Sequence, residues 1–79
     1  MASSVEQNLE LIEILPPAAQ RIYHLLSIEK RLHAKDIKEI TNYSTRTVQV
    51  SLRRLKTMDL IVRIPDITDM RRSIYSLPE

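Results

Sequence analysis

The sequence predicts a mainly α domain closed by a small β-hairpin, an α+β fold of helix, helix, short helix, basic helix and hairpin. Three observations predict it. Apolar residues recur at helical spacing through most of the first 57 positions. The period then changes, because Leu60–Ile64 and Ser73–Leu77 are short β-branched or aromatic runs joined by a polar stretch with Pro65, Asp66, Thr68 and Asp69. Finally, the segment from Ser44 to Lys56 holds Arg46, Arg53, Arg54 and Lys56 and no acid.

The first element, Val5 to Leu15, sets Val5, Leu9, Ile12 and Leu11 against Glu6, Glu10 and Glu13 and reads as an amphipathic helix. Pro16-Pro17 ends it and opens the next, since proline is tolerated in a first helical turn. From Pro17 to about Lys30, Ala18, Ile22, Leu25 and Leu26 form a stripe, with His24 beside it as a partly buried packing residue. Leu32 separates this helix from a shorter one, Ala34–Thr41, in which Ile37 and Ile40 face inward and which His33 helps to cap. The chain has no glycine, so Asn and Asp must fill left-handed positions. Asn42, in the turn before Ser44, and Asp59, after the basic helix, are predicted to have positive φ. Ser44 has the side chain of an N-cap.

On the basic helix, Val48, Leu52 and Leu55 recur at i, i+4 and i+7 and mark the buried face. At about 100° per residue, Arg46, Val50, Arg53 and Thr57 fall opposite, flanked by Gln49 and Arg54. Buried on one side and cationic on the other, such a helix suits the major groove of DNA. The overall charge of +2 conceals an asymmetry. Residues 1–20 carry three acids and no Lys or Arg, a charge of −3, whereas residues 30–57 carry eight cations and two acids, a charge of +6. A basic half favours a polyanionic partner.

With 79 residues and no cysteine, the chain holds one small domain without disulfide or zinc-thiolate support, for which oligomerisation is a common remedy. We divide it into residues 1–15, an N-terminal helix and possible dimerisation element, and residues 16–79, the folded domain. The N-terminal helix has two readings: it folds back onto its own domain, or Val5, Leu9 and Ile12 pair with the same helix of a second chain in a homodimer. No apolar run is long enough to span a membrane and no signal pattern opens the chain, which points to the cytoplasm. Catalysis and metal binding are not expected. His24 and His33 are the only histidines, no spacing suggests a metal site, and Asp66 and Asp69 share a loop too mobile for an acid/base pair.

Three helices followed by a basic-tipped hairpin is the order of a winged helix-turn-helix. Ser44-Thr45-Arg46-Thr47-Val48 through Leu55 resembles the recognition helix of the MarR family of transcriptional regulators, and Leu60-Ile61-Val62-Arg63 resembles its first wing strand. Asp69-Met70-Arg71-Arg72, with Leu77 six residues beyond Arg71, is similar to that family's wing signature. The resemblance covers about residues 17–79. It implies that Asp69 positions the wing and that Arg71, helped by Arg72, reaches the minor groove or phosphate. Asp59 departs from the family, which has glycine there, and the chain reads as a short form lacking the C-terminal dimerisation helices.

The expected function is therefore sequence-specific binding of double-stranded DNA by a transcriptional repressor, with helix 44–57 in the major groove and the wing, 61–77, on the minor groove or backbone. Arg46 and Arg53 suit guanine O6 and N7, Gln49 suits adenine, and Val50 a thymine methyl. Ser44, Thr45 and Thr47, at the helix start, suit phosphate, as do Lys35 and Lys38 from the preceding helix. Each has a plainer reading: Ser44 as an N-cap only, Val50 packed on a neighbouring helix, Arg54 and Lys56 solvated, Asp69 and Arg71 a surface pair. The rival function is a winged-helix module that binds protein within a larger assembly. RNA binding would call for exposed aromatics, and only three tyrosines exist, of which Tyr43 and Tyr75 suit the core. No cofactor is implied, and no small-molecule effector is assigned.

Overall fold

A computed structural model describes residues 13–69 and 71–78. Its elements are α1 (Pro17–Glu29), β1 (Arg31–His33), α2 (Ala34–Thr41), α3 (Thr45–Thr57), β2 (Val62–Pro65) and β3 (Ser73–Ser76). Residues 5–12 of the expected N-terminal helix, Val5, Leu9 and Ile12 among them, lie outside the described residues. Leu15, at its end, is buried in the domain's own core, whereas Ile14 is exposed.

The core joins Leu15, Ala19, Ile22, Leu26, Ile37, Val48, Leu52, Leu55, Leu60 and Ile61 into one cluster. α1 packs against both α2 and α3. The α1 stripe is shifted from expectation: Ala19, Ile22 and Leu26 are buried, while Ala18 and Leu25 are half-buried. His24 is exposed, which corrects its assignment as a packing residue. At about 100° per residue it lies some 200° from Ile22 and so faces away from the core.

In α2 the boundaries match expectation, but the inward face does not. Ile37 is fully buried, whereas Ile40 is 50% exposed and Thr41 takes the buried place. The helix packs along its i, i+4 row. Burial of the Thr41 hydroxyl is compensated because it donates to the Ile37 carbonyl at 2.7 Å and accepts from the Tyr43 N–H at 3.3 Å.

Positive φ occurs at Asn42 (60°) and Asp59 (58°), as the sequence predicts, and also at Lys30 (73°), which it did not. Asn42 ends α2 in the left-handed conformation and donates to the Lys38 carbonyl. Asp59 closes α3 in a Schellman motif: the Leu60 N–H reaches the Leu55 carbonyl at 2.9 Å, and the Asp59 N–H reaches that of Lys56 at 3.0 Å. Leu55 and Leu60 meet in the core, the apolar contact that usually accompanies this motif. Lys30 stands at ψ −57°, outside the left-handed helical well, where a side chain costs backbone strain.

The hairpin of the sequence reading is part of a three-stranded antiparallel sheet of order β1-β3-β2. β3 is central, pairing Leu32 with Tyr75 on one side and Arg63 with Tyr75 on the other. β1 was not predicted because three residues are too short to display a period of two; pairing with β3 makes them a strand. Leu60 and Ile61, expected in the first wing strand, precede it as buried core residues, and Pro65 ends the strand instead of opening the loop. Among the described residues, no helix is long and apolar enough to cross a membrane.

Candidate nucleic-acid interface

α3 is a helix whose local sequence supplies both ends and one face. Ser44 is its N-cap, with the hydroxyl oxygen accepting from the Thr47 N–H at 3.1 Å while the Ser44 hydroxyl donates to Thr47 Oγ1 at 2.9 Å. Val48, Ser51, Leu52 and Leu55 are buried, so the opposite face is presented to solvent. Thr45, Arg46, Gln49, Val50, Arg53 and Arg54 are all exposed, and Thr47 is half-buried beneath the cap. Val50 is 49% exposed, an apolar side chain on an otherwise polar surface. Among the described residues, none of Arg46, Arg53, Arg54 and Lys56 lies within ion-pair distance of an acid.

The fold divides these residues into two flanks. On one, α3 meets α2 and the sheet. Thr45 and Gln49 border a hollow with Lys35 and Lys38, and Arg53 and Lys56 border the next with Arg63 of β2 and Tyr75 of β3. Lys35 also borders a third hollow with Arg71 and Arg72, so the cations of α2, α3 and the wing form one continuous surface. Among the described residues, no acid lines any of the three. On the other flank, Arg46, Val50 and Arg54 look across a shallow hollow to Pro16 and Ala18 at the start of α1.

Arg63 belongs to the first flank and was not singled out among the candidates. Its Nε donates to Ser73 Oγ at 2.7 Å, which ties the side chain across β2 and β3 beside the hollow that it shares with Arg53 and Lys56. Its signal in the sequence was the alternation Val62-Arg63-Ile64, which sends the central residue to the face opposite its neighbours.

The wing is shaped by two aspartates with different surroundings. Asp69 Oδ1 accepts from the Arg71 N–H at 3.1 Å and from Arg71 Nε at 3.4 Å, a surface pair in which the arginine is 91% exposed. Asp66, in the loop between β2 and β3, is 9% exposed. One of its oxygens accepts from the N–H and hydroxyl of Thr68, and the other faces His33 Nε2 at 2.8 Å. The Thr68 hydroxyl, then His33 and the Thr68 N–H, hold the Asp66 carboxyl well below the usual carboxylate range. His33 caps α2 through its backbone, donating its N–H to Asp36 Oδ2 at 3.1 Å, and its ring reaches both Asp36 and Asp66.

No protein-family profile matches the sequence, and no curated protein is detectably similar to it. Solved structures match throughout. The S. aureus MepR–DNA complex is 26% identical with a TM-score of 0.77, covering 99% of this chain and 64% of that one. The zinc-responsive MarR family member ZitR of Lactococcus lactis is 26% identical with a TM-score of 0.75, covering 82% and 44%. The adhesin competence repressor AdcR of Streptococcus pyogenes is 24% identical with a TM-score of 0.77, covering 98% and 59%. This chain thus spans less than two-thirds of each of these structures. Helix order, sheet order and these likenesses agree: the chain has the winged-helix fold of the MarR-family regulators.

Proposed function

We propose that this chain is a sequence-specific, double-stranded DNA-binding transcriptional regulator that acts as a repressor. One observation carries the reading: the exposed face of a capped, otherwise buried helix holds cations without acid partners among the described residues, and this face runs on into α2 and the wing. The likeness to a winged-helix protein bound to DNA supports it.

In this reading α3 enters the major groove. Arg46 and Arg53 contact guanine O6 and N7, Gln49 contacts adenine, and Val50 a thymine methyl. Thr45, Thr47, Arg54 and Lys35 contact phosphate, while Ser44 serves mainly as the cap that aims the first free N–H groups at the backbone. The wing brings Arg71 and Arg72 to the minor groove or backbone. Arg63 and Lys56 join them as phosphate contacts, an addition that follows from their shared hollow with Arg53. The regulator is a homodimer that pairs through Val5, Leu9 and Ile12 and represses by obstructing a promoter.

Selection from a random-sequence duplex library at near-physiological salt tests this. A dimer selects a pseudo-palindrome with half-sites about 34 Å apart, one DNA turn. Retention that is weak, salt-sensitive and without sequence enrichment would turn the reading toward a protein-binding module. Replacing Leu9 and Ile12 with Glu is expected to dissociate the dimer; an unchanged sedimentation profile would exclude that interface.

A further inference from the structure

The wing is tied to the helix-turn-helix through one side chain. His33, the last residue of β1 and the N-cap of α2, lies between two carboxylates: Nε2 is 2.8 Å from Asp66 Oδ2, and Nδ1 is 3.3 Å from Asp36 Oδ2. A neutral imidazole has one N–H, so it donates to one carboxylate and turns a lone pair toward the other. An imidazolium has two N–H groups and satisfies both. The bridge is therefore strongest when the ring is charged.

Asp66 passes this dependence to the wing. Its second carboxylate oxygen accepts from the Thr68 N–H and hydroxyl, its backbone N–H donates to the Arg72 carbonyl at 3.2 Å, and its own carbonyl accepts from the Asp69 N–H at 3.1 Å. The carboxylate that His33 holds thus organises the turn that presents Arg71 and Arg72. Charged and titratable groups face His33 from each neighbouring element: Asp36 and Lys35 from α2, Asp66, Arg71 and Arg72 from the wing, and Tyr75 from β3. Only the two carboxylates are within ion-pair distance of the ring among the described residues.

We propose that His33 is a positioning residue for the wing: its ring clamps Asp66 to Asp36, most firmly as an imidazolium, and DNA affinity through Arg71 and Arg72 depends on that clamp. The affinity half rests on the DNA-binding reading above; the clamp itself does not. Two measurements on the full chain separate them, both run across about pH 5 to 8, where imidazoles change charge.

The first needs no DNA. The backbone amide signals of Thr68, Asp69 and Arg71 are expected to move in NMR spectra with the same midpoint as the His33 ring, and their hydrogen exchange to quicken at the upper end. Wing amides indifferent to the ring would overturn the clamp. The second is the affinity for the selected duplex, or for a random-sequence duplex if none is enriched. It is expected to weaken by about threefold to tenfold at the upper end, the scale of one hydrogen bond. His33→Gln and the double variant Arg71→Ala/Arg72→Ala are expected to abolish that dependence, and His24→Gln to retain it. Dependence that survives in the arginine double variant would mean that the His33 charge acts on DNA directly, and would overturn the wing's part. Absence of DNA binding at every pH would overturn the functional reading and the affinity half, while co-titrating wing amides would sustain the clamp. The wild-type titration and the exposed arginine pair keep the test decisive if His33→Gln does not fold.

Discussion

α3 and the wing are both cationic and both face the same side of the molecule, yet they are held in opposite ways. α3 carries its determinants within its own span and its immediate flanks: a serine cap three residues before its partner, a stripe of Val48, Leu52 and Leu55, and a left-handed stop at Asp59. The wing takes its determinants from far away. β3 is paired on one side by β1, more than 40 positions earlier in the chain, and Asp66 is bridged by His33, 33 positions earlier. The difference teaches that a helix of this kind is built from local periodicity and caps, whereas a short wing needs partners brought to it by the rest of the fold.

Substitutions can break this comparison, and the largest effect is expected in the core that both regions share. Leu55 is fully buried and serves both the α3 stripe and its contact with Leu60. Leu55→Ala is expected to cost about 2–5 kcal/mol in chemical denaturation, enough to unsettle helix and wing together. Arg53→Ala probes only the exposed face. It is expected to weaken binding to a selected duplex by about 1–3 kcal/mol and to random duplex by less, with little change in stability; equal losses would make Arg53 a phosphate contact.

Smaller effects sharpen the contrast at the ends of α3. Ser44→Ala removes the cap and is expected to lower stability by about 1 kcal/mol, measured by thermal or chemical unfolding. Asp59→Gly relieves a left-handed non-glycine residue and is expected to raise stability by a few tenths to about 1 kcal/mol. The wing is expected to answer to pH instead. Because the folded Asp66 carboxyl titrates below its ordinary value of 3.8, its contribution is fully present above that value and is lost as pH falls through the folded one. Thr68→Val removes the largest cause of the depression, so the acid-side loss of wing order should begin at higher pH. An acid unfolding profile identical to that of the wild type would remove Thr68 from this role.

Much of the fold was legible because the signals were local. The boundaries of α2, the burial of Val48, Leu52 and Leu55, the Ser44 cap and both Asn42 and Asp59 follow from spacing and side-chain chemistry within a few residues. The misreadings occurred where a neighbour chose between two local possibilities. Ile40 and Thr41 both lie near the inward face of α2, and packing buries Thr41, whose hydroxyl is satisfied by the Ile37 carbonyl. Leu60 and Ile61 suit a strand by composition, but the end of α3 buries them first. Among the candidate site residues, those on α3 could be placed by angle alone, whereas the joining of Arg63 to Arg53 and Lys56 required the sheet.

By itself the sequence determined α1, α2 and α3, the Ser44 cap, the stops at Asn42 and Asp59, and the apolar stripe and charged outer face of α3, because each depends on residues within a turn or two of one another. Only the tertiary structure decided that Arg31–His33 is a strand, that Asp66 is buried and that His33 links the wing to α2. Strand pairing and buried polar contacts join residues distant in the chain, and no local period records which distant partner will satisfy a given hydrogen-bonding group.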